Sequence, residues 1–510
     1  MNDLSIISFL MAFSLHGGYQ KDIALSTMLR EFYVFFHLQQ HLGKNTVKSG
    51  MNGKVKAGDF ATGSVFGHII RLAVPLTIAQ LVHMLYSVVD RIYIGHLSAA
   101  SSAALTGLGL TFPVISLIEA FTSLYGLGGA PLASISRGAR KDDEAEKIMG
   151  ITFSMLLLTA AGVFLLANLF MRPMLFLFGA SEATYPFASS YLRIYLLGTP
   201  FVMTGTGMNN FISSQGFGRT GMITVSAGML LNLVLDPIFI FGLGLGIQGA
   251  AIASVISQLV SAVLVIRFLT GDKTYLRIKR STMRIEWKYL KKILSLGLAG
   301  FVMKATNGAV QMTCSSTLQI FGGDVYVGLM TVFNSVREMV SLPSSGLSDA
   351  GKPVIGYNYG AKKYDRITKA IFCITVPAII YMLLIWLLLF LFPERFIGIF
   401  TSDPDFLTLG PEMMHIYFFG FFFMVFQTCG QTVFTGMGRA RHAVFFSLFR
   451  KIVIVVPLTI LLPRLGLGIK GVFIAEPISN LIGGGACYIT MLISTRRLFR
   501  KEQQSLQSQP

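Results

Sequence analysis

Long apolar runs alternate with short polar breaks along most of the chain. From residue 67 onward the runs are about 20 residues or longer, the length that an α-helix needs to cross the hydrocarbon core of a membrane. The pattern predicts about twelve spans. They are residues 67–93, 103–134, 147–171, 187–213, 220–242, 249–270, 291–321, 325–356, 368–392, 411–436, 442–462 and 469–494.

Composition supports an all-α polytopic membrane protein, because 53% of the residues are hydrophobic and only 13% are charged. The net charge of +18 could indicate a nucleic-acid partner. However, the basic residues lie in alternate loops and lack interleaved aromatic residues, so we expect no nucleic-acid binding.

The basic segments are 137–147, 273–292, 362–369 and 496–501. This asymmetry predicts a plasma (inner) membrane protein with both termini in the cytoplasm.

The two halves of the chain repeat each other. LGLGIQGAAIA from Leu243 recurs as LGLGIKGVFIA from Leu465, and GARKDDEAEK from Gly138 recurs as GAKKYDRITK from Gly360, both at an offset of 222. GFGR matches GMGR at 220, an offset that also aligns Pro237 with Pro457. These matches predict two parallel repeats of six helices, the arrangement of some secondary transporters.

The repeat defines five predicted segments. Residues 1–55 are interpreted as a poorly structured N-terminal extension or a mis-called start. Met51 opens a basic lead-in typical of a cytoplasmic start, so the working protein is expected to begin near it. Residues 60–270 are expected to form an N-lobe and residues 293–498 a C-lobe. Residues 271–292 form the linker, which is either an amphipathic segment on the inner leaflet or a solvated connection. Residues 499–510 form a polar tail.

An amide and a carboxylate lie inside the fifth span, in the stretch LNLVLDP. Asn232 and Asp236 are four residues apart and therefore share one helix face. A carboxylate at the centre of a bilayer costs about 2.5 to 3.5 kcal/mol and usually faces a bundle interior or an aqueous pathway. Pro237 frees a backbone carbonyl one turn back and allows the helix to bend. The stretch predicts an ion site, and a purely structural buried acid is the alternative.

Other polar residues inside the spans are candidates for function or for structure. In the first span His83, Tyr86 and Asp90 form a stripe along one helix face. Further charges occur in apolar surroundings in the second, seventh, eighth and twelfth spans. They are Glu119, Lys304, Arg337, Glu338 and Glu476.

Several motif-like stretches lack the context that their usual functions require. G-x-G-x-x-G occurs at Gly244 and again at Gly466, but neither copy follows a strand, so both are interpreted as short turns with close helix packing. GLSDAGKP from Gly346 resembles a phosphate loop but has proline where a hydroxyl must hold magnesium. The four cysteines form no C-x-x-C pair, and the eight histidines show no ligand spacing. We therefore expect no cofactor, and no metal site beyond a sodium ion at the predicted ion site.

With these motifs in view, the chain resembles the MATE family of multidrug and toxic compound extrusion transporters, in particular its MepA-type bacterial branch. The resemblance rests on four stretches within residues 60–498. They are LYSVVDRIYIG in the first span, GFGRTG after the fourth, LNLVLDP in the fifth and PVIGYNYGA after the eighth. It implies twelve helices in two lobes that form a V, and export coupled to inward flow of protons or sodium.

Carried over by position, the family's cation site falls on Asp90, Asn232 and Asp236, and a family hydroxyl is matched by Ser254. Two positions depart from the family. Asn307 lies near where one branch has an acidic residue, and Lys352 replaces a common glutamine before the proline of the eighth-span motif.

The resulting hypothesis is a monomeric, non-enzymatic multidrug exporter that confers resistance to antibiotics and other xenobiotics. Asp90 and Asp236 carry the coupling ion, H+ or Na+, and the partners are small amphiphilic substrates and membrane lipid. Candidate substrate contacts are His83, Tyr86, Met203, Met208, Asn209 and Asn210. One alternative is a flippase for a lipid or lipid-linked sugar. An intramembrane enzyme is another, but no convergent nucleophile, base or metal set is apparent within the spans.

Overall fold

The computed structural model describes residues 59–95, 107–178, 180–182, 184–400 and 404–507. Within these ranges the chain forms helices joined by turns, and no β-strand. The segment 1–55 lies outside the described residues. The α-helices are α1 (Val65–Gly95), α2 (Phe112–Gly138), α3 (Asp142–Leu169), α4 (Met171–Leu177), α5 (Tyr185–Leu197), α6 (Thr199–Ser214), α7 (Gly218–Pro237), α8 (Gly246–Thr270), α9 (Trp287–Gly322), α10 (Asp324–Gly360), α11 (Tyr364–Leu391), α12 (Pro393–Gly398), α13 (Pro404–Tyr417), α14 (Met424–Gly436), α15 (Ala440–Leu448), α16 (Val456–Leu462), α17 (Gly468–Ser479) and α18 (Gly485–Gln507).

Each predicted span coincides with one helix or with two successive helices. The fourth span is divided between α5 and α6 at Gly198, and the tenth between α13 and α14 near Gly420. By length and composition alone, seven helices of the described part of the chain can cross a membrane. The number rises to eight if the tenth span, bent by 44°, is included. The last helix, α18, continues into the predicted tail as far as Gln507.

Short π-helical segments, in which the helical turn is wider than in an α-helix, interrupt three spans. One follows α7 directly after Pro237, and the C-lobe contains the others. They are Ile238–Gly242, Phe449–Val455, Pro463–Leu467 and Asn480–Gly484. Two π segments therefore lie inside the eleventh and twelfth spans.

The backbone conformation follows the sequence repeat at a constant offset of 222. Among the described residues, Arg140 and Lys362 are the non-glycine residues with positive φ, at 60° and 58°. Left-handed glycines recur at the same separation in Gly216 and Gly438, Gly244 and Gly466, and Gly246 and Gly468. The turns that follow corresponding helices are thus built alike in both halves.

This geometry corrects one alignment made from the sequence. GFGR and GMGR align at 220 by their letters, whereas the left-handed glycine of each turn and the starts of α7 and α15 are separated by 222. Asn232 therefore corresponds to Ile454, and Asp236 to Leu458; the offset of 220 would instead pair them with Ile452 and Val456. The C-lobe counterparts are still apolar, so the amide and carboxylate pair belongs to the N-lobe alone.

Two hydrophobic cores form, one in each lobe. Each core also includes residues from the start of the other lobe's first helix. The core of the N-lobe takes in Leu290 and Ile293 from the start of α9. The core of the C-lobe takes in Phe60, Val65 and Ile69, which precede or begin α1. The leading helix of each lobe is thus anchored in the other lobe.

The lobes meet closely at the end of the bundle that carries the basic loops. Gly138 on α2 lies against the carbonyl group of Tyr357 on α10, and Gly360 lies against the carbonyl group of Ile135. These contacts are reciprocal, because Gly138 and Gly360, like Ile135 and Tyr357, are related by the offset of 222. A methyl group at either glycine would overlap the opposing carbonyl, so only glycine permits this approach.

The linker between the lobes forms a single 3-10 turn, Arg280–Thr282, before α9 begins. The side-chain carbonyl of Gln215 accepts hydrogen bonds from the main chain of Tyr275 and Leu276 at 2.9 and 2.7 Å. Glu146 accepts one from the main chain of Arg277 at 3.1 Å. The linker is therefore held on the N-lobe along an irregular path.

The structure agrees with the interpretation of the two glycine motifs as turns. Gly244 and Gly246 have positive φ, and the third glycine of that motif, Gly249, lies against the backbone of Phe239. The stretch that resembles a phosphate loop lies inside α10, where a helix leaves no loop to surround a phosphate.

Candidate functional site

The predicted pair on α7 is buried and hydrogen-bonded. Asn232 is 2% exposed and Asp236 is 1% exposed, and Asn232 Nδ2 donates to Asp236 Oδ1 at 3.2 Å. The amide thus orients the carboxylate. Among the described residues, Asn232 Oδ1 has no hydrogen-bond donor. An amide oxygen and a carboxylate on one helix face supply hard oxygen ligands for a proton or a small cation.

Two close backbone approaches fix how α8 lies beside α7. Gly228 on α7 lies against Ser257 on α8, and Gly249 on α8 lies against Phe239 just after α7. Ser254 falls between these approaches on α8, as Asn232 and Asp236 do on α7. Ser254 is also buried, with 3% of its surface exposed. Asn232 and Asp236 are thus in direct contact, and Ser254 lies on the helix that packs against theirs.

Asp90 lies on α1, which packs against α7. Gly218 at the start of α7 lies against Leu72 on α1. Asp90 follows Leu72 by 18 residues, and Asp236 follows Gly218 by 18 residues. Because both helices run away from the basic end, the backbone at Asp90 and the backbone at Asp236 lie at about the same height. The side chains of Asp90 and Tyr86 are outside the described residues.

The polar candidates for substrate contact differ in their surroundings. His83 on α1 is exposed. Asn209 is half-buried, and its Oδ1 accepts a hydrogen bond from Thr224 at 3.4 Å, which joins α6 to α7. Asn210 Nδ2 donates to the carbonyl oxygen of Thr206 on its own helix at 3.2 Å.

The two methionine candidates lie in the core of the N-lobe. Met203 and Met208 are fully buried, with none of their surface exposed. In this conformation they have no surface that a substrate could reach. The spacing of apolar residues along the sequence could not show whether these methionines face the core or a substrate cavity, because methionine is suited to both environments.

A polar contact between the lobes was missed by sequence reasoning. Gln80 Nε2 on α1 donates to Asp349 Oδ2 on α10 at 3.2 Å, and Lys352 Nζ lies 2.6 Å from Asp349 Oδ1. The lysine that departs from the family pattern is therefore neutralised by an acid one turn away. An acidic residue three positions before a lysine inside a span was the available signal.

A family model named MatE matches two segments of the chain, residues 75–238 and 301–461. The chain belongs to the MatE family. The two matched segments also correspond to the two lobes, as expected for a duplicated unit.

Curated relatives cover most of the chain. It is similar to the multidrug export protein MepA of Staphylococcus saprophyticus, with 25% identity over 428 residues, covering 83% of this chain and 93% of the relative. MepA of Staphylococcus aureus is 26% identical over 433 residues with the same coverage.

Solved structures confirm the fold. A MATE structure in complex with MaD3S superposes with a TM-score of 0.83 at 23% identity, covering 88% of this chain and all of the other. An outward-facing multidrug resistance MATE family transporter of the MOP superfamily gives 0.82 at 23% identity, covering 88% and 99%. The predicted all-α membrane fold with twelve helices in two repeats is confirmed by these likenesses.

Proposed function

We propose that this MatE family member is a secondary active exporter of amphiphilic, often cationic compounds, driven by antiport of protons or sodium. It acts as a monomer in the plasma membrane, with both termini and the basic loops in the cytoplasm. The names of its relatives, multidrug export protein MepA, support this substrate class.

The observation that carries the proposal is the buried pair of Asn232 and Asp236 inside a span. An ionised carboxylate in an apolar interior is costly unless a proton or cation compensates it. The neutral amide of Asn232 donates to Asp236 Oδ1 at 3.2 Å, and within the described part of the chain Asn232 Oδ1 has no donor of its own. The pair therefore offers a carboxylate and an amide oxygen to an exchangeable ion.

Closure of the basic end supports alternating access. In this conformation the reciprocal contacts of Gly138 and Gly360 seal the proposed cytoplasmic side. In the proposed cycle, this conformation leaves the ion site open to the opposite face. Asp236, Asn232, Ser254 and Asp90 bind the ion from outside, and separation of the lobes at the basic end releases it inside.

The driving force is sufficient for export. One charge moving inward gains about 2.3 kcal/mol per 100 mV, and each tenfold ion gradient adds about 1.4 kcal/mol. Pro237 and the π segment after it let α7 bend between its two packings. Exposed and half-buried polar groups such as His83, Asn209 and Asn210, with Tyr86, contact the substrate.

The test is transport by the purified protein in liposomes. An imposed inward proton or sodium gradient should drive export of a fluorescent cation such as ethidium, and Asp236→Asn should abolish transport while drug binding stays detectable. The matched control is Glu182→Gln, which removes the same charge from an exposed residue that pairs with Arg172. Export without either ion gradient, or full activity of Asp236→Asn, would refute the proposal.

A further inference from the structure

The C-lobe contains a buried cluster in which three basic side chains surround one carboxylate. Glu476 Oε1 lies 3.2 Å from Arg337 Nη1, 3.5 Å from Arg450 Nη1 and 3.4 Å from Lys451 Nζ. Glu476, Arg450 and Lys451 are 5%, 7% and 5% exposed. We call these four residues the C-lobe charge cluster.

Local backbone structure explains how two neighbouring residues reach the same carboxylate. Arg450 and Lys451 lie in the π segment Phe449–Val455. On an α-helix adjacent side chains point about 100° apart, whereas the wider π turn rotates less per residue. The aliphatic part of the Arg450 side chain packs directly against Gly483. A Cβ atom at position 483 would overlap it, so glycine is needed there. Asn480 Oδ1 accepts a hydrogen bond from Arg450 Nη1.

The repeat relates this cluster to the proposed ion site of the N-lobe. At the offset of 222, Glu476 corresponds to Ser254, and Arg450 corresponds to Gly228. The N-lobe site contains an amide and a carboxylate, whereas the C-lobe region contains two arginines and a lysine around a single carboxylate. Equivalent regions of the two lobes therefore carry different sets of ionisable residues.

The charges of the C-lobe charge cluster do not balance. Arginine stays protonated in proteins, so Arg337 and Arg450 exceed the single charge of Glu476 even if Lys451 is neutral. Among the residues that the structure describes, Glu338 also attracts Arg337 electrostatically, but it is exposed to solvent and forms no ion pair with the cluster, so it offsets the buried charge only weakly. An uncompensated charge in a buried position is costly.

One donor in the cluster also lacks an acceptor. Arg450 Nε is buried and has no hydrogen-bond partner within the described part of the chain. A buried guanidinium nitrogen without an acceptor is unfavourable, since its water has been removed and not replaced. The side chain of Arg337 is 27% exposed, so the cluster reaches the surface along α10.

We propose that the C-lobe charge cluster binds a small monovalent anion. Its ligand is either a halide such as chloride or the carboxylate group of an organic acid. The anion accepts a hydrogen bond from Arg450 Nε and offsets the excess charge of Arg337 and Lys451. This site is separate from the cation site of the N-lobe and does not depend on which compounds are exported.

Direct binding to the purified full-length wild-type protein tests the proposal. Radioactive chloride and radioactive benzoate are each titrated at constant ionic strength, with sulfate, a divalent anion outside the proposed ligand class, as the replacing anion. We expect a single saturable class of sites, at equimolar stoichiometry, for at least one of them. Binding of chloride alone identifies a halide site, and binding of benzoate alone identifies a carboxylate site. Absence of saturable binding of both overturns the proposal.

Variants locate the site. Arg450→Gln and Lys451→Met should each weaken anion binding by on the order of tenfold or more, since each removes a charged donor. Glu476→Gln should strengthen it, because the competing carboxylate charge is lost. The matched control is Arg464→Gln, which removes a positive charge from an exposed position and should bind as the wild type does. If a folded Arg450→Gln or Lys451→Met protein binds the anion with wild-type affinity, the anion site is not at the C-lobe charge cluster. If Arg450→Gln does not fold, the affinity of Lys451→Met alone tests this location.

Discussion

The guanidinium group of Arg366 is hydrogen-bonded to the main-chain carbonyl oxygen of Phe60, with Nε and Nη2 at 3.2 and 2.9 Å. Arg366 also donates to the carbonyl oxygens of Thr62 and Gly63, each at 2.9 Å. Phe60 is 2% exposed and packs edge-on against Tyr357. The segment that precedes α1 is thus fastened to the C-lobe at the basic end.

We therefore predict that Arg366→Gln loosens this segment. Hydrogen bonds to a charged group contribute about 1.5 to 3 kcal/mol, and several are lost together. In inside-out vesicles, a cysteine introduced at Thr62 should be labelled by an impermeant maleimide several-fold faster in the variant. Lys369→Gln, an exposed charge on the same helix, serves as the control. Equal labelling of both proteins would show that Arg366 does not hold the segment.

Gly138→Ala should disfavour closure of the basic end, because its methyl group would overlap the carbonyl group of Tyr357. Overpacking of this kind costs about 1 to 3 kcal/mol. Ser134, buried between the lobes, is a suitable position for a cysteine reporter. Its labelling from the basic side should increase about tenfold. Gly162→Ala, on a glycine with open space around it, should leave the labelling unchanged.

Asn232→Leu should weaken ion coupling without unfolding the protein. The substitution keeps a similar volume but removes the donor to Asp236 Oδ1. A hydrogen bond to a charged group is worth about 1.5 to 3 kcal/mol, so the ion concentration for half-maximal export should rise about tenfold or more. Asn168→Leu, on the exposed surface of α3, is the control. An unchanged ion dependence would remove Asn232 from the site.

Met208→Ala should reduce stability and leave substrate preference unchanged, because the side chain is fully buried in the N-lobe core. Truncation of a buried methionine costs about 2 to 5 kcal/mol. Thermal unfolding in detergent measures the loss, and relative export rates for several dyes measure preference. If the variant is as stable as the wild type but exports the dyes with a different order of relative rates, Met208 contacts the substrate after all.

Pro237→Ala should slow transport while sparing ion binding, since it restores a main-chain donor where α7 passes into the π segment. The rate of export from liposomes and the ion affinity of the purified protein are measured on the same preparation. Pro457→Ala changes the proline at the start of α16 and is the comparison. A wild-type export rate in Pro237→Ala would exclude bending at this proline.

The sequence by itself determined the spans, the duplication and the N-lobe pair. Apolar runs identify spans because lipid requires every backbone group to be bonded within a helix. The duplication is visible because turns such as those at Gly244 and Gly466 need glycine for their positive φ. Asn232 and Asp236 could be paired because a spacing of four residues places them on one helix face.

Only the tertiary structure decided which distant side chains meet. Glu476 was recognised as a charge in apolar surroundings, but its contact with Arg337 joins helices far apart in the chain. The π segment that brings Arg450 and Lys451 to the same carboxylate has no marker in the hydrophobic pattern. Periodicity reports which residues avoid lipid or water, whereas the burial of Met208 and the fastening of Phe60 depend on how helices pack against each other.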